Sequence, residues 1–187
     1  ENRKALQQYS AGKTILNAFC YTGAFSLYGA LAGAKKTVSV DISKNAIAAA
    51  KRNFELNGID TESHEFSVGD VFEYLESDEA RQQHFDLIIL DPPAFVKNAK
   101  SLRNGMAGYL QLNEAALRLL PSGGILVSSS CSSHVTDETF QKMLTIASHR
   151  TGCRLKVLEI KHQPADHPFN LDFPEGKYLK FWVVQKF

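Results

Sequence analysis

The chain has 187 residues, 44% hydrophobic and 22% charged, which excludes collagen-like, disordered and membrane-spanning classes and leaves room for one domain of roughly 150 residues. Twenty-one Lys and Arg against 20 Asp and Glu give a formal charge of +1, too little for a nucleic-acid coat protein, so any RNA or DNA contact must be local. Cys20, Cys131 and Cys153 are an odd number at wide spacing, which fits neither a disulfide framework nor a zinc cluster. A reducing, cytoplasmic setting is therefore expected, and no metal. No apolar run reaches the ~18 residues of a membrane helix, and Glu1-Asn2-Arg3-Lys4 does not lead into a signal-peptide core. The first residue is not Met, so an N-terminal part is expected to have been removed.

Short β-rich apolar runs alternate with helical stretches, the pattern of parallel strands joined by crossover helices. Strands are predicted at residues 14–20, 37–41, 64–68, 85–90, 125–130, 154–160 and 178–185, seven in all. Between the second and third, Ser43 is placed to cap a helix in which Ile47, Ala50 and Phe54 recur at helical spacing, and Asn57-Gly58 supplies its left-handed stop. Residues 109–120 and 136–149 read as further helices, the first followed by the turn Pro121-Ser122-Gly123-Gly124. Residues 161–177 carry Pro164, Pro168 and Pro174 and form the longest irregular connection, one that either lines a site or moves. Because no strong crossover helix precedes the final run, an antiparallel strand inserted at the sheet edge is open to it.

In an open α/β sheet the ligand site lies beyond the carboxyl ends of the strands. The tips here carry Cys20-Tyr21-Thr22-Gly23-Ala24, Asp41, Gly69-Asp70, Asp91-Pro92-Pro93 and Ser129-Ser130-Cys131-Ser132. A dinucleotide needs a glycine-rich turn for close approach of backbone N–H groups to its pyrophosphate, but Phe19 and Tyr21 hold the first two glycine positions. S-adenosylmethionine (SAM) has no phosphate and can use such a loop. Asp41, eighteen residues past Gly23, is placed to accept both ribose hydroxyls, and Asp70 to accept from the adenine amino group. The alternative is that both acids cap the helices that follow them.

In Asp91-Pro92-Pro93 each proline deletes an N–H and stiffens an extended loop with exposed carbonyls, where a flat base bearing an amino group can dock. Ala94 stands where an aromatic would follow directly, and Phe95 comes one residue later. The plainer reading is a Pro-Pro pair that ends a strand. Cys131 carries the sharpest hypothesis. A pyrimidine C5 is a poor nucleophile until a thiolate adds at C6 and makes C5 enamine-like, able to attack a methyl sulfonium. Cys20 and Cys153 read instead as structural. Lys97, Lys100 and Arg103 follow the Pro-Pro loop with no acid between Asp91 and Glu114, a basic stretch fit for RNA phosphates or simply a solvated loop. His134 and Asp137 read as caps of the next helix, and His64, His84, His149 and His162 show no ligand spacing.

Four stretches together carry a family resemblance: Leu16-Asn17-Ala18-Phe19-Cys20-Tyr21-Thr22-Gly23-Ala24-Phe25; Asp91-Pro92-Pro93-Ala94-Phe95-Val96-Lys97; Ser130-Cys131-Ser132; and Pro164-Ala165-Asp166-His167-Pro168 with Phe173-Pro174-Glu175-Gly176-Lys177-Tyr178-Leu179-Lys180. In these the chain resembles the bacterial large-subunit (23S) ribosomal RNA cytosine-5 methyltransferase family over nearly its whole length. The resemblance implies a Rossmann-like class I methyltransferase domain with a mostly parallel sheet, an antiparallel last strand and helices on both faces. It implies further that N-terminal PUA-type RNA-binding and β-hairpin domains belong to the longer protein, with residues 1–187 the catalytic domain. For the cofactor SAM it implies Phe19, Cys20, Tyr21, Thr22, Gly23, Asp41, Ser43, Asp70, Val71 and Asp91. Cys131 is then the nucleophile and Asp91 the group that binds the cytosine edge. Pro92, Pro93, Phe95, Lys97, Lys100 and Arg103 are the implied substrate contacts, and ribosomal RNA is the partner. Asn17 replaces the acid of the generic first motif. A sister group shares the first motif and the Asp-Pro-Pro loop but methylates guanine N7 and has no cysteine at the place of Cys131. Methylation of a purine N7 or amine, or a non-catalytic RNA-binding or cofactor-sensing module, are the rival readings. No motif fixes an oligomeric state.

Overall fold

The computed structural model describes residues 1–96, 98–165, 167–173 and 176–187. Lys97, expected to touch substrate, and Asp166, Pro174 and Glu175 of the last motif lie outside the described residues. Seven strands form one sheet: β1 Thr14–Ala18, β2 Lys36–Asp41, β3 Glu65–Val68, β4 Leu87–Leu90, β5 Ile125–Ser130, β6 Leu155–Lys161 and β7 Lys180–Lys186, in the order β3-β2-β1-β4-β5-β7-β6. The first five are parallel, and β7 is antiparallel to both of its neighbours. The antiparallel strand expected at the edge thus lies one strand inside it, between β5 and β6. With no α-helix among the described residues between β6 and β7 to carry it back across the sheet, the chain returns beside β6 in the opposite direction.

Alternation along the strands sends each sheet face to its own core. Leu16, Ala18, Val38, Val40, Ile88, Leu90, Leu126, Trp182 and Val184 share one cluster with the later helices, which are α4 Val71–Glu76, α5 Asp78–Gln82, α6 Leu102–Leu119 and α7 Asp137–Arg150. Ile15, Leu87, Ile89, Val127, Phe181 and Val183 face the opposite way with Leu6 and Phe25. That side carries α1 Asn2–Ala5 and α2 Ala24–Leu31, and α2 packs in turn on α3 Lys44–Leu56. Helices on both faces of a mostly parallel sheet are the architecture expected from the sequence. Ser43 caps α3 by accepting from the Ala46 amide at 3.3 Å, as predicted.

Four helices differ from expectation. α2 and the pair α4–α5 are too short or too uniformly apolar to show a period, and α6 begins seven residues before the predicted start at 109. Gly105 and Gly108 dilute the helical signal in those two added turns. Gly105 is buried, and a Cβ there would lie 2.4 Å from Val96 Cγ2 and 2.9 Å from the Phe95 backbone. Gly105→Ala is therefore expected to destabilise the domain by about 1–3 kcal/mol in a urea melt, because the loop after Pro93 must shift to relieve the overlap. An unchanged midpoint would show that the loop yields freely.

Candidate active site

The loop after β1 adopts the conformation that a glycine-rich turn would, without the glycines. Phe19 and Tyr21 have φ of 60° and 49°, and Gly23 has 73°. A left-handed non-glycine residue costs roughly 1–2 kcal/mol, so the surroundings must hold these two in place. The Cys20 amide donates to Val40 O at 3.0 Å and the Gly23 amide to Cys20 O at 2.8 Å. The Tyr21 amide donates to Asp41 Oδ2 at 2.9 Å, and the Phe19 ring meets Phe72 and Phe95 edge-on, each at 6.4 Å. Asp41 also accepts from the Ser43 amide at 2.9 Å through its other oxygen. It is therefore not a cap of α3, which Ser43 provides, but a brace joining the β1 and β2 tips, with further lone pairs on both oxygens.

Gly23 serves packing first: a Cβ there would meet that of Ala50 at 2.7 Å, so its lack of a side chain lets α2 and α3 approach. Asp70 does cap α4, its Oδ1 accepting from the Phe72 amide at 2.8 Å and the Glu73 amide at 3.3 Å. Val71 is buried in the core behind it. Asn17, which replaces an acid, is fully buried and donates to Ser26 Oγ at 2.9 Å, tying β1 to α2. Cys20 is buried, and desolvation with the Asp41 charge pushes its thiol up to about 12, which makes it inert as a nucleophile.

The tips of β4 and β5 open on a cleft of about 350 Å³. Asp91, Pro92, Pro93 and Cys131 line it, joined by Asn2 and Arg3 from the N-terminal segment and by Gln163 and Tyr178 from the irregular one. Cys131 turns toward this cleft for a reason visible in its neighbours. The Ser130 hydroxyl donates to Tyr109 Oη at 2.9 Å, and Ser132 Oγ lies 3.1 Å from the same oxygen. With both flanking serines drawn into the protein, the residue between them faces the other way. Ser132 Oγ also accepts from the Val96 amide at 3.3 Å, which pins the Pro-Pro loop to the β5 tip.

Two electrostatic facts define the cleft. Asp91 has solvent-accessible area, yet the concave walls desolvate its carboxyl and raise it above the ordinary carboxylate range, with Arg3 opposing. Burial raises the Cys131 thiol, the Asp91 charge raises it further, and the strand-end backbone and Lys180 pull it back. The Asp91 charge is thus near enough to disfavour the Cys131 thiolate across the cleft that both line.

The remaining predicted substrate contacts do not converge on this cleft. Phe95 is half-buried, its ring 4.8 Å from Tyr109 and 6.1 Å from Phe72, so it belongs to an aromatic cluster under the loop. Lys100 lies in the short 3-10 turn Ala99–Ser101 and Arg103 in the first turn of α6, both exposed on a helical shoulder and not on an open loop. His134 and Asp137 are not the cap of α7, which is Thr136, its side chain accepting from the Thr139 amide at 3.2 Å. Sequence reasoning missed Arg3, Lys180 and the part Tyr109 plays as the buried partner of Ser130 and Ser132. The alternation in Ser130-Cys131-Ser132 was the available signal for a buried hydroxyl partner. Among the described residues no group of His, Cys, Asp and Glu could hold a metal, and no helix is long and apolar enough to cross a membrane.

This strand order, with an acid at the β2 tip and a cleft at the ends of β4 and β5, is that of an open α/β domain whose ligand face lies at the strand ends, and the chain belongs to the methyltransferase domain family, whose profile matches residues 9–172. It is 42% identical to the ribosomal RNA large subunit methyltransferase I of Aeromonas hydrophila over 185 residues, 99% of this chain and 47% of that protein. It is 43% identical to the protein of the same name from Serratia proteamaculans over 180 residues, 96% of this chain and 46% of that one. A methyltransferase solved in complex with SAH superposes with a TM-score of 0.86 at 31% identity, covering 98% of this chain and 48% of that chain. A SAM-dependent methyltransferase from Streptococcus mutans gives 0.85 at 31%, covering 98% and 47%. The chain spans about half the length of the curated relatives it matches. These names agree with the coarser part of the resemblance, a large-subunit ribosomal RNA methyltransferase.

Proposed function

We propose that the chain is the catalytic half of a SAM-dependent enzyme that forms 5-methylcytosine in large-subunit (23S) ribosomal RNA through a covalent bond between Cys131 and cytosine C6. The observation that carries the reading is the meeting of Cys131 and Asp91 in one cleft at the ends of β4 and β5. The donor set suits SAM: Asp41 presents a braced carboxylate to a ribose diol, and the Asp70 oxygen not used in capping accepts from an adenine amine. When bound, SAM supplies an electrophilic methyl on a sulfonium.

The protein's own residues make the carbon that takes it. In this scheme Asp91 carries a proton and gives it to N3 as the Cys131 thiolate adds at C6. The C5=C6 electrons then move to C4=C5, and C5 becomes nucleophilic. After C5 is methylated, N3 returns its proton to Asp91, and loss of the C5 proton to solvent water restores C5=C6 and expels the Cys131 thiolate. Pro92 and Pro93 stiffen the loop on which the base edge rests, and a nucleotide flipped from its stack or held in an unpaired segment can reach it. PUA-type and β-hairpin domains of the longer protein would grip the RNA, with Lys100 and Arg103 as local phosphate contacts and Lys97 assigned by sequence alone. Ribosomal RNA as substrate places the work in the cytoplasm.

The full-length protein acting on large-subunit RNA containing 5-fluorocytidine tests the reading. Fluorine cannot leave C5 as a proton does, so an adduct should survive denaturation and map to the Cys131 peptide. Ordinary RNA should yield 5-methylcytidine on digestion. A methylated guanosine or a methylated exocyclic amine, with no trapped adduct, would overturn it.

A further inference from the structure

Lys180 opens β7 directly across from Ser130 and is 3% exposed. Because β7 runs antiparallel, its first residue and not its last reaches the catalytic rim. An ammonium buried this far costs several kcal/mol unless its donors are satisfied, a cost that a methionine of similar length would not carry. Its Nζ donates to Ser132 O and to Tyr178 O, both at 2.5 Å. The first carbonyl belongs to the residue after Cys131, and the second to a residue that lines the same cleft. Among the described residues no carboxylate forms an ion pair with Lys180.

We propose that Lys180 is a positioning residue for the nucleophile: its clamped ammonium fixes the β5 tip and provides the positive charge that favours the Cys131 thiolate. This rests on Cys131 as the nucleophile, the reading given above. The groups that bear on the pair come from every packed element. Asp91 on the β4 tip opposes the thiolate, with Arg3 from the N-terminal segment drawing on Asp91. Asp137 at the start of α7 favours the ammonium, and His162, after β6, stands 3.9 Å from Asp137. Burial brings Lys180 down to about 8, with Asp137 and the Cys131 thiolate opposing. The ammonium is therefore present at neutral pH and is lost as the medium turns alkaline, so the thiolate loses its support in the range where it would otherwise form freely.

The test is the rate at which iodoacetamide alkylates Cys131 in the intact protein, followed by mass spectrometry of the Cys131 peptide from about pH 6 to 10. SAH binding serves as the check on folding. Lys180→Met removes charge and donors; Lys180→Gln removes the charge but keeps two N–H donors on a slightly shorter side chain that also carries a carbonyl oxygen. Both should alkylate about tenfold more slowly near pH 7.5, the equivalent of one unit in the thiol. Lys180→Arg keeps the charge and should stay within about threefold of wild type, roughly half a unit. A wild-type rate in Lys180→Met or Lys180→Gln, or a Lys180→Arg rate as slow as theirs, overturns the proposal. If neither uncharged variant binds SAH, Lys180→Arg decides alone: it must bind SAH and keep the wild-type rate, and anything else counts against the idea. No RNA enters the measurement. Full methyl transfer by Cys131→Ala would therefore remove the nucleophile reading while leaving the Lys180 coupling separately legible.

Discussion

Replacing Cys131 with Ala is expected to reduce methyl transfer to large-subunit RNA on the order of 10⁴-fold while leaving SAH affinity within about twofold. The expectation follows from where the side chain sits. Its sulfur projects into the cleft, whereas the hydrogen bonds that hold the β5 tip run through Ser130, Ser132, Tyr109 and Lys180. Removing the sulfur therefore leaves the scaffold and the hydrogen bonds around Asp41 untouched. Cys131→Ser tests the same step more finely. Its hydroxyl fits the space but does not ionise near neutral pH, so it too should fall by several orders of magnitude. Transfer assayed with labelled SAM on RNA, alongside calorimetric SAH binding, separates chemistry from binding. Full activity in Cys131→Ala would mean that the methylated atom needs no covalent activation, as a purine ring nitrogen or an amine does not.

Much of the scaffold could be read in the chain because buried parallel strands appear as short apolar runs with few alternatives. The predicted run 125–130 coincides with β5, and 37–41 differs from β2 by one residue. The helices were less legible. In α2, residues 24–31 offer apolar groups on nearly every side, since the helix is packed by the sheet, α1 and α3 together, and such a helix shows no polar stripe. The start of α6 was hidden by glycines that exist for contact with Val96 and Phe95. At the site, polar groups at strand tips were legible one by one, since topology alone puts them at one end of the sheet. Their partners were not. Lys180 reaches Ser132 only because β7 is inserted antiparallel beside β5. Phe95 is taken up by Phe19, Phe72 and Tyr109, residues from three other parts of the chain. Both outcomes depend on pairings that local sequence does not contain.

Asp41→Ala is expected to weaken SAM and SAH binding by about 100-fold or more. Two charge-assisted hydrogen bonds to a ribose diol contribute roughly 1.5–3 kcal/mol each, and 1.4 kcal/mol is tenfold in affinity. A second loss adds to the first. The same carboxylate accepts from the Tyr21 amide at 2.9 Å and holds that residue at a φ of 49°, so without it the loop after β1 is free to relax toward an ordinary backbone conformation. Asp41→Asn separates the two contributions. Its single carbonyl oxygen can still brace Tyr21 but cannot also serve both ribose hydroxyls, so its affinity should fall between those of wild type and Asp41→Ala. Because the acid lies at the β2 tip, outside the cleft lined by Cys131, Asp41→Asn should raise KM for SAM far more than it lowers kcat. Calorimetric titration with SAH and saturation kinetics with SAM check this directly. Equal affinity in all three proteins would leave Asp41 as no more than a brace between two strand tips and would move the ribose contact elsewhere.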